Sequence, residues 1–254
     1  MAGEYWFTLE QLTEMARPTM DSALEALEAE NYEKVAALCE SMKHEWRFLH
    51  DLMAESLLAL LTYIGEQFGE ERVGDALRYM TTKVWRPTVE KIMQMSRRDV
   101  AIALATTWRA HSCSGTGPVP GKFSIEEDDE KITFILDPSG SCGRLWRRGL
   151  YGPPKNYGMT KAAHEWSFHR KDFPYYCAHC SFMNESLPIE WTGVPLYPLD
   201  PPASADQPCY WYLYKDPWGA PERFYARYGK CKADEMRRFG VMRQETESVG
   251  GAQP

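Results

Sequence analysis

Cys177-Ala178-His179-Cys180 places two thiols three residues apart with an imidazole between them. A tight turn can converge two such sulfurs on one tetrahedral ion at roughly 2.3 Å, the length of a zinc–thiolate bond. Two ligands do not complete a site. The upstream candidates are Cys142, then His164 and His169, then His111 or Cys113. The expected centre is a zinc ion held by Cys142, Cys177, Cys180 and one histidine, with His164 preferred, or a water. His164 and His169 differ by five positions, so one helix would not aim both at the same point.

If one coordination position is open, zinc lowers the pKa of a bound water towards 7 and can act on an electrophile; if four protein ligands close it, the ion is structural. The residues expected to move protons beside such an ion are His164, Glu165 and His179, with Glu185 a further carboxylate. Arg144, Trp146 and Arg147, followed by Arg148, form a basic aromatic segment. Its planar guanidinium forks suit a carboxylate, which makes the expected substrate a small molecule that is anionic or aromatic. The bland alternatives are an ion-paired surface loop for these arginines and packed thiols for the cysteines. A redox dithiol is a third reading, although no βαβ pattern surrounds the motif.

The elements that must position these groups fall into two halves. Residues 1–112 read as helical. Thr8 and Gln11 fit a capping box, Pro18 ends a first short helix, and a second runs from Asp21 to about Glu30. Asn31 caps a long helix from Tyr32 to Phe68, closed by Gly69, with an expected buried stripe at Leu49, Met53, Leu57, Leu60, Leu61 and Ile64. A helix from Glu70 to Val84 should stop at Trp85-Arg86-Pro87, and another should run from Thr88 to about Ala110. Residues 113–254 read as an α+β region carrying the cysteines. Phe123–Leu136 alternates as a hairpin with an acidic turn at Asp128-Asp129, and Cys209–Tyr214 is the clearest strand. Thr160–Ser167 reads as a short helix, Leu187–Pro202 as a proline-punctuated loop, and Glu222 to about Thr246 as helical. The expected architecture is an N-terminal helical bundle packed with a C-terminal antiparallel sheet, either as two domains or as one integrated domain.

At 254 residues and 44% apolar composition the chain can build an ordinary core. A formal charge of −7 argues against a general nucleic-acid binder. The N-terminus lacks a signal-peptide pattern and no uninterrupted apolar run reaches the eighteen or so residues of a span, so the expected setting is cytoplasmic, away from membranes. Seven cysteines at uneven spacing do not form a secreted disulfide framework. The amphipathic helices are compatible with a homodimer.

The order of features in the second half (a helical lead-in, the acidic hairpin Phe123–Phe134, Cys142 just after its second strand, Cys177 and Cys180 some thirty residues on, and a closing strand) resembles the group of small-ligand proteins that includes the 4-vinyl-reductase domain and the L-2-amino-thiazoline-4-carboxylate hydrolase-like family. The resemblance is one of layout and covers roughly residues 30–215. It implies an α+β fold with an antiparallel sheet against helices, and cysteines near a ligand pocket at Cys142, Cys177 and Cys180. Cys142 stands three residues later than a Pro-Cys junction would put it. The expected function is a metal-dependent, zinc hydrolase or lyase acting on a small organic acid or aromatic compound. The alternative is a non-catalytic small-molecule-binding or sensory module with structural zinc.

Overall fold

A computed structural model describes residues 6–111 and 119–241, so Cys113 lies outside the described residues, as does the end of the helix expected to reach Thr246. The chain divides into two compact units, residues 1–52 and 53–254, with the division inside its longest helix. In the first unit α1 (Leu9–Met15) begins on the expected capping box, with Thr8 Oγ1 accepting from Gln11 N–H and Gln11 Oε1 accepting from Thr8 N–H. α2 (Thr19–Glu28) buries Ser22, Ala23 and Ala26. Asn31 Oδ1 accepts from Lys34 N–H at 3.1 Å and so starts α3 (Tyr32–Phe68) where the sequence places it.

The second unit opens with the remainder of α3. Its buried residues are Ala54, Leu58, Leu61 and Thr62; of the expected stripe Leu61 is buried and Leu57 and Ile64 pack against the same core, whereas Leu49, Met53 and Leu60 are exposed. The i, i+4, i+7 set Ala54, Leu58 and Leu61 shares one core with Val73 and Leu77 of α4 (Glu70–Met80). Pro87 does not stop the next segment as expected. The chain widens into a π-helical turn at Thr81–Trp85 and re-enters regular helix as α5 (Arg86–Ile92), where proline sits in the first turn and no N–H is missed. The single helix expected over 88–110 is divided. α6 (Arg97–His111) starts afresh after Ser96, whose Oγ accepts from Asp99 N–H at 3.1 Å.

β1 (Phe123–Glu127) and β2 (Lys131–Leu136) form the expected hairpin, with Asp128 Oδ1 accepting from the Glu130 and Lys131 N–H groups. After α7 (Cys142–Arg147) and a loop region, α8 (His179–Ser181) leads through a second π-helical turn, Phe182–Ser186, into α9 (Leu187–Thr192). That helix occupies the start of the expected loop, because Pro188 falls in its first turn where it is tolerated. β3 (Leu199–Asp200) is a strand the sequence does not announce, and β4 (Cys209–Tyr214) is the strand it does. The antiparallel sheet has the order β1-β2-β4-β3. α10 (Arg223–Ala226) and α11 (Lys232–Arg238) replace one charged helix, with Gly229 at φ 62° in the turn between them. The segment expected as a helix at 160–167 is only a 3₁₀ turn, Glu165–Ser167. Thr160 is not its cap, since the Oγ1 donates to Arg170 O and accepts from Phe173 N–H.

This unit has three cores, one gathering Ile189, Tyr214, Phe224, Tyr225 and Tyr228, and two that concern the site. One packs α3 and α4 against Phe173, Tyr175, Tyr176 and Cys177. The other lays Val100, Leu104 and Trp108 of α6 on the sheet residues Phe134, Leu136, Trp211 and Leu213, with Cys180 and Cys209 among them. The register pairs Phe134 with Trp211 and Leu136 with Cys209, which puts Cys209 next to the strand end that leads to Cys142.

Candidate functional site

A cavity of about 210 Å³ lies where these two cores meet. Its aromatic wall comes from Trp85, Trp108, Phe173, Tyr176, Tyr197 and Trp211. Trp108 and Trp211 stand 4.5 Å apart by ring centroid, with Tyr197 edge-on to Trp108, so the planes are held by one another. Met80 and Trp85 flank the first π-helical turn and Met183 lies in the second, so both irregular turns deliver side chains to this wall. Thr107, exposed on α6, forms part of the rim.

The polar groups on the wall are few. Cys142, Cys177, Cys180 and Cys209 all line it, as do His111, His179 and Ser141. Cys142 and Cys177 are joined as a disulfide with their Cα atoms 5.6 Å apart. The structure therefore brings these two expected ligands together, but spends their sulfurs on each other. Cys180 is a free, buried thiol. Burial pushes its pKa well up, and the neighbouring Cys209 and Glu185 push the same way. Burial likewise raises the Cys209 thiol to about 12. Both are neutral at pH 7.

His179 is oriented by the Tyr176 carbonyl, against which its Nδ1 sits closely, while its Nε2 is 3.6 Å from Cys180 Sγ. A carbonyl can only accept, so Nδ1 carries the proton and Nε2 presents a lone pair to the thiol. Burial holds the imidazole's pKa below its ordinary value, against the opposing pull of that carbonyl. Ser141 Oγ lies 3.2 Å from Tyr176 Oη and 3.4 Å from His111 Nε2.

The remaining expected site residues lie elsewhere. His164 is drawn to the start of α4: its Nε2 is 2.5 Å from Glu70 Oε1 and its ring stacks on Trp166. Burial pulls the Glu70 carboxyl upward, but the Lys161 and Ala162 N–H groups, His164 and the Tyr175 hydroxyl outweigh it and leave the pKa lowered. That satisfied cluster explains His164 without an ion. Glu165 is exposed on the 3₁₀ turn. His169 Nε2 donates to Arg227 O at 2.6 Å. Arg147 bonds the carbonyls of Pro120 and Ser139 at 3.0 and 2.9 Å, fastening loops together, and Trp146 packs edge-on to Tyr151. Arg144 is buried on α7. None of the three lines the cavity, although Cys142 and Gly143 of the same helix do.

Glu185 is fully buried in the second π-helical turn, where its carboxylate accepts from Leu199 N–H and Tyr228 Oη at 2.8 Å each and meets Arg227 at 3.3 Å. Among the described residues no group of three or more His, Cys, Asp and Glu side chains is arranged to hold a metal ion. The residues that sequence reasoning missed are Cys209 and Trp108, whereas Trp211 is one of the tryptophans the sequence offers, with Trp166, Trp191 and Trp218, for a pocket that takes a flat or apolar ligand. The available signal was that Cys209 opens the clearest strand of the chain, whose alternate positions Trp211 and Leu213 face inward with it. Comparison of the chain with protein-family models, with characterised proteins and with solved structures gives no match.

Proposed function

We propose that this chain binds a small, flat, largely apolar molecule in the cavity between two of its cores, with the cysteines beside the bound ring. The observation that carries this reading is the lining: six aromatic side chains and few polar groups around about 210 Å³. An apolar cavity of about 150 Å³ already accepts benzene, so this one suits a single substituted ring. Polar groups are few, Ser141, His111, His179 and the cysteines with Ser139 and Thr107, and would fix the orientation of one polar substituent. The binding is testable with single-ring aromatic acids such as salicylate, read by titration calorimetry and by quenching of the cavity tryptophans. Thr107→Trp would fill the rim from an exposed position and is expected to weaken binding of that acid at least tenfold by calorimetry with far-ultraviolet dichroism unchanged. Equal binding by the parent and this variant would refute the cavity as the site.

A second reading is a cytoplasmic zinc-dependent hydrolase or lyase acting on such a ligand. It is supported by one arrangement: three expected ligands, Cys142, Cys177 and Cys180, share the cavity wall with His111 and His179. His179 then takes the proton-transfer role that the sequence divides among His164, Glu165 and His179. Zinc would supply a polarised oxygen or activated water, and the reading requires the disulfide to be open.

A further inference from the structure

Four cysteines reach the cavity from three separate elements. Cys142 opens α7, Cys209 opens β4, and Cys177 and Cys180 share one turn in which Cys180 N–H bonds the Cys177 carbonyl at 3.4 Å. Cys39 and Cys231, by contrast, are exposed and elsewhere. We propose that Cys142, Cys177, Cys180 and Cys209 form a redox-gated site for one thiophilic divalent cation, zinc above all, that assembles when the Cys142–Cys177 disulfide is reduced. This rests on the zinc reading above and adds to it the fourth ligand and the switch.

In the oxidised form two of the four sulfurs are bonded to each other, and a bonded sulfur has no thiolate charge to give. The sulfurs of a disulfide stand about 2.05 Å apart. A tetrahedral zinc with bonds of about 2.3 Å needs them about 3.8 Å apart, a separation that side-chain rotation can supply. Cys180 and Cys209 are both free, buried thiols that line the same cavity. Each is held neutral by burial, and a charge on Cys209 acts against one on Cys180. A bound dication removes that conflict by displacing the thiol protons outright. Cytoplasmic disulfides are transient or redox-sensing far more often than structural, which suits a bond that must open.

The chemistry balances. A dithiol reductant gives two electrons and two protons to the Cys142–Cys177 bond and leaves as its own disulfide. Cation binding then releases four protons, one from each thiol, and His179 Nε2 is placed to take the one from Cys180. The resulting site carries two net negative charges.

The test uses the full chain, either oxidised or reduced anaerobically with a phosphine reductant, titrated with Co²⁺ and followed by back-titration with Zn²⁺. One equivalent of Co²⁺ is expected to give thiolate-to-cobalt charge-transfer bands and intense tetrahedral d–d bands in the reduced protein only, lost on adding Zn²⁺. Cys209→Ser and Cys180→Ser should each weaken Co²⁺ binding at least tenfold and reduce the sulfur charge-transfer intensity. Cys39→Ser, Cys113→Ser and His164→Ala should leave the spectrum unchanged. Equal uptake by oxidised and reduced protein, no uptake by either, or a Cys209→Ser spectrum identical to the parent's would overturn the proposal. So would loss of the bands in Cys113→Ser alone. Binding of a single-ring aromatic acid to the oxidised protein, measured in parallel by calorimetry, separates failure of the metal site from failure of the cavity.

Discussion

Glu185 gives the second unit a pH dependence of its own. Its carboxyl is fully buried, and burial pushes its pKa from an ordinary 4.5 up to about 7 despite Arg227, the Leu199 N–H and the Tyr228 hydroxyl. The folded state thus holds this proton more tightly than the unfolded chain does. The stabilisation is complete below pH 4.5 and is lost as pH rises through about 7, a swing of about 3 kcal/mol. Glu70 and Asp200, whose pKa values are lowered, act in a different window, since their contribution is present above the usual carboxylate range and lost as pH falls below it. Urea unfolding of the parent between pH 5 and 7.5 should show stability falling with pH, and Glu185→Gln should flatten that slope. A variant with the parent's slope would show that another group is responsible. At this scale the sequence is legible only in part. Cys142, Cys177 and Cys180 all line one cavity, but only Cys177 and Cys180 are tied by their three-residue spacing, while Cys142 comes from 35 positions upstream through its bond to Cys177. His164 does not join them, because its partner Glu70 lies ninety-four positions away and no spacing rule reports it.

Elements were readable wherever a local cap or alternation decides them, and unreadable wherever packing does. Asn31 and Gly69 bracket α3 to the residue, and the acidic turn at Asp128 fixes the β1–β2 hairpin. Which face of α3 is buried is a tertiary choice: both Leu58 and Leu60 are leucines on a leucine-rich helix, yet Leu58 is 0% exposed and Leu60 61%. Leu58→Ala should therefore cost about 2–5 kcal/mol, whereas Leu60→Ala should stay within about 0.5 kcal/mol. Chemical denaturation of the two variants side by side decides it, and comparable losses would mean that the buried face is misassigned. The π-helical turns escape sequence reading for a related reason. An extra residue in a turn leaves no compositional trace, and Pro87 and Pro188 look like helix stops while serving as first-turn residues.

For the molecule as a whole, the consequence is two units of unequal strength. Among the described residues, the first unit fully buries only Ser22, Ala23 and Ala26, while the second contains every extended hydrophobic core. The Cys142–Cys177 bond lies wholly in the second unit and closes a separation of 35 residues. In the chain-entropy account a loop of that size stabilises by about 4 kcal/mol, mostly by restricting the unfolded chain. For a unit of about 200 residues, a loss of that size lowers the midpoint by about 8–16 °C. Calorimetry should accordingly resolve a weak transition that a phosphine reductant leaves in place and a stronger one that it moves down. Adding Zn²⁺ to the reduced protein should then move the stronger transition back up, since a cation bound only by the folded state stabilises it in proportion to its occupancy. A reductant effect confined to the weaker transition would contradict the assignment of the disulfide to the second unit's stability. A downward shift of the stronger transition that zinc fails to reverse would leave the bond as a structural link alone, with its sulfurs making no metal site once parted.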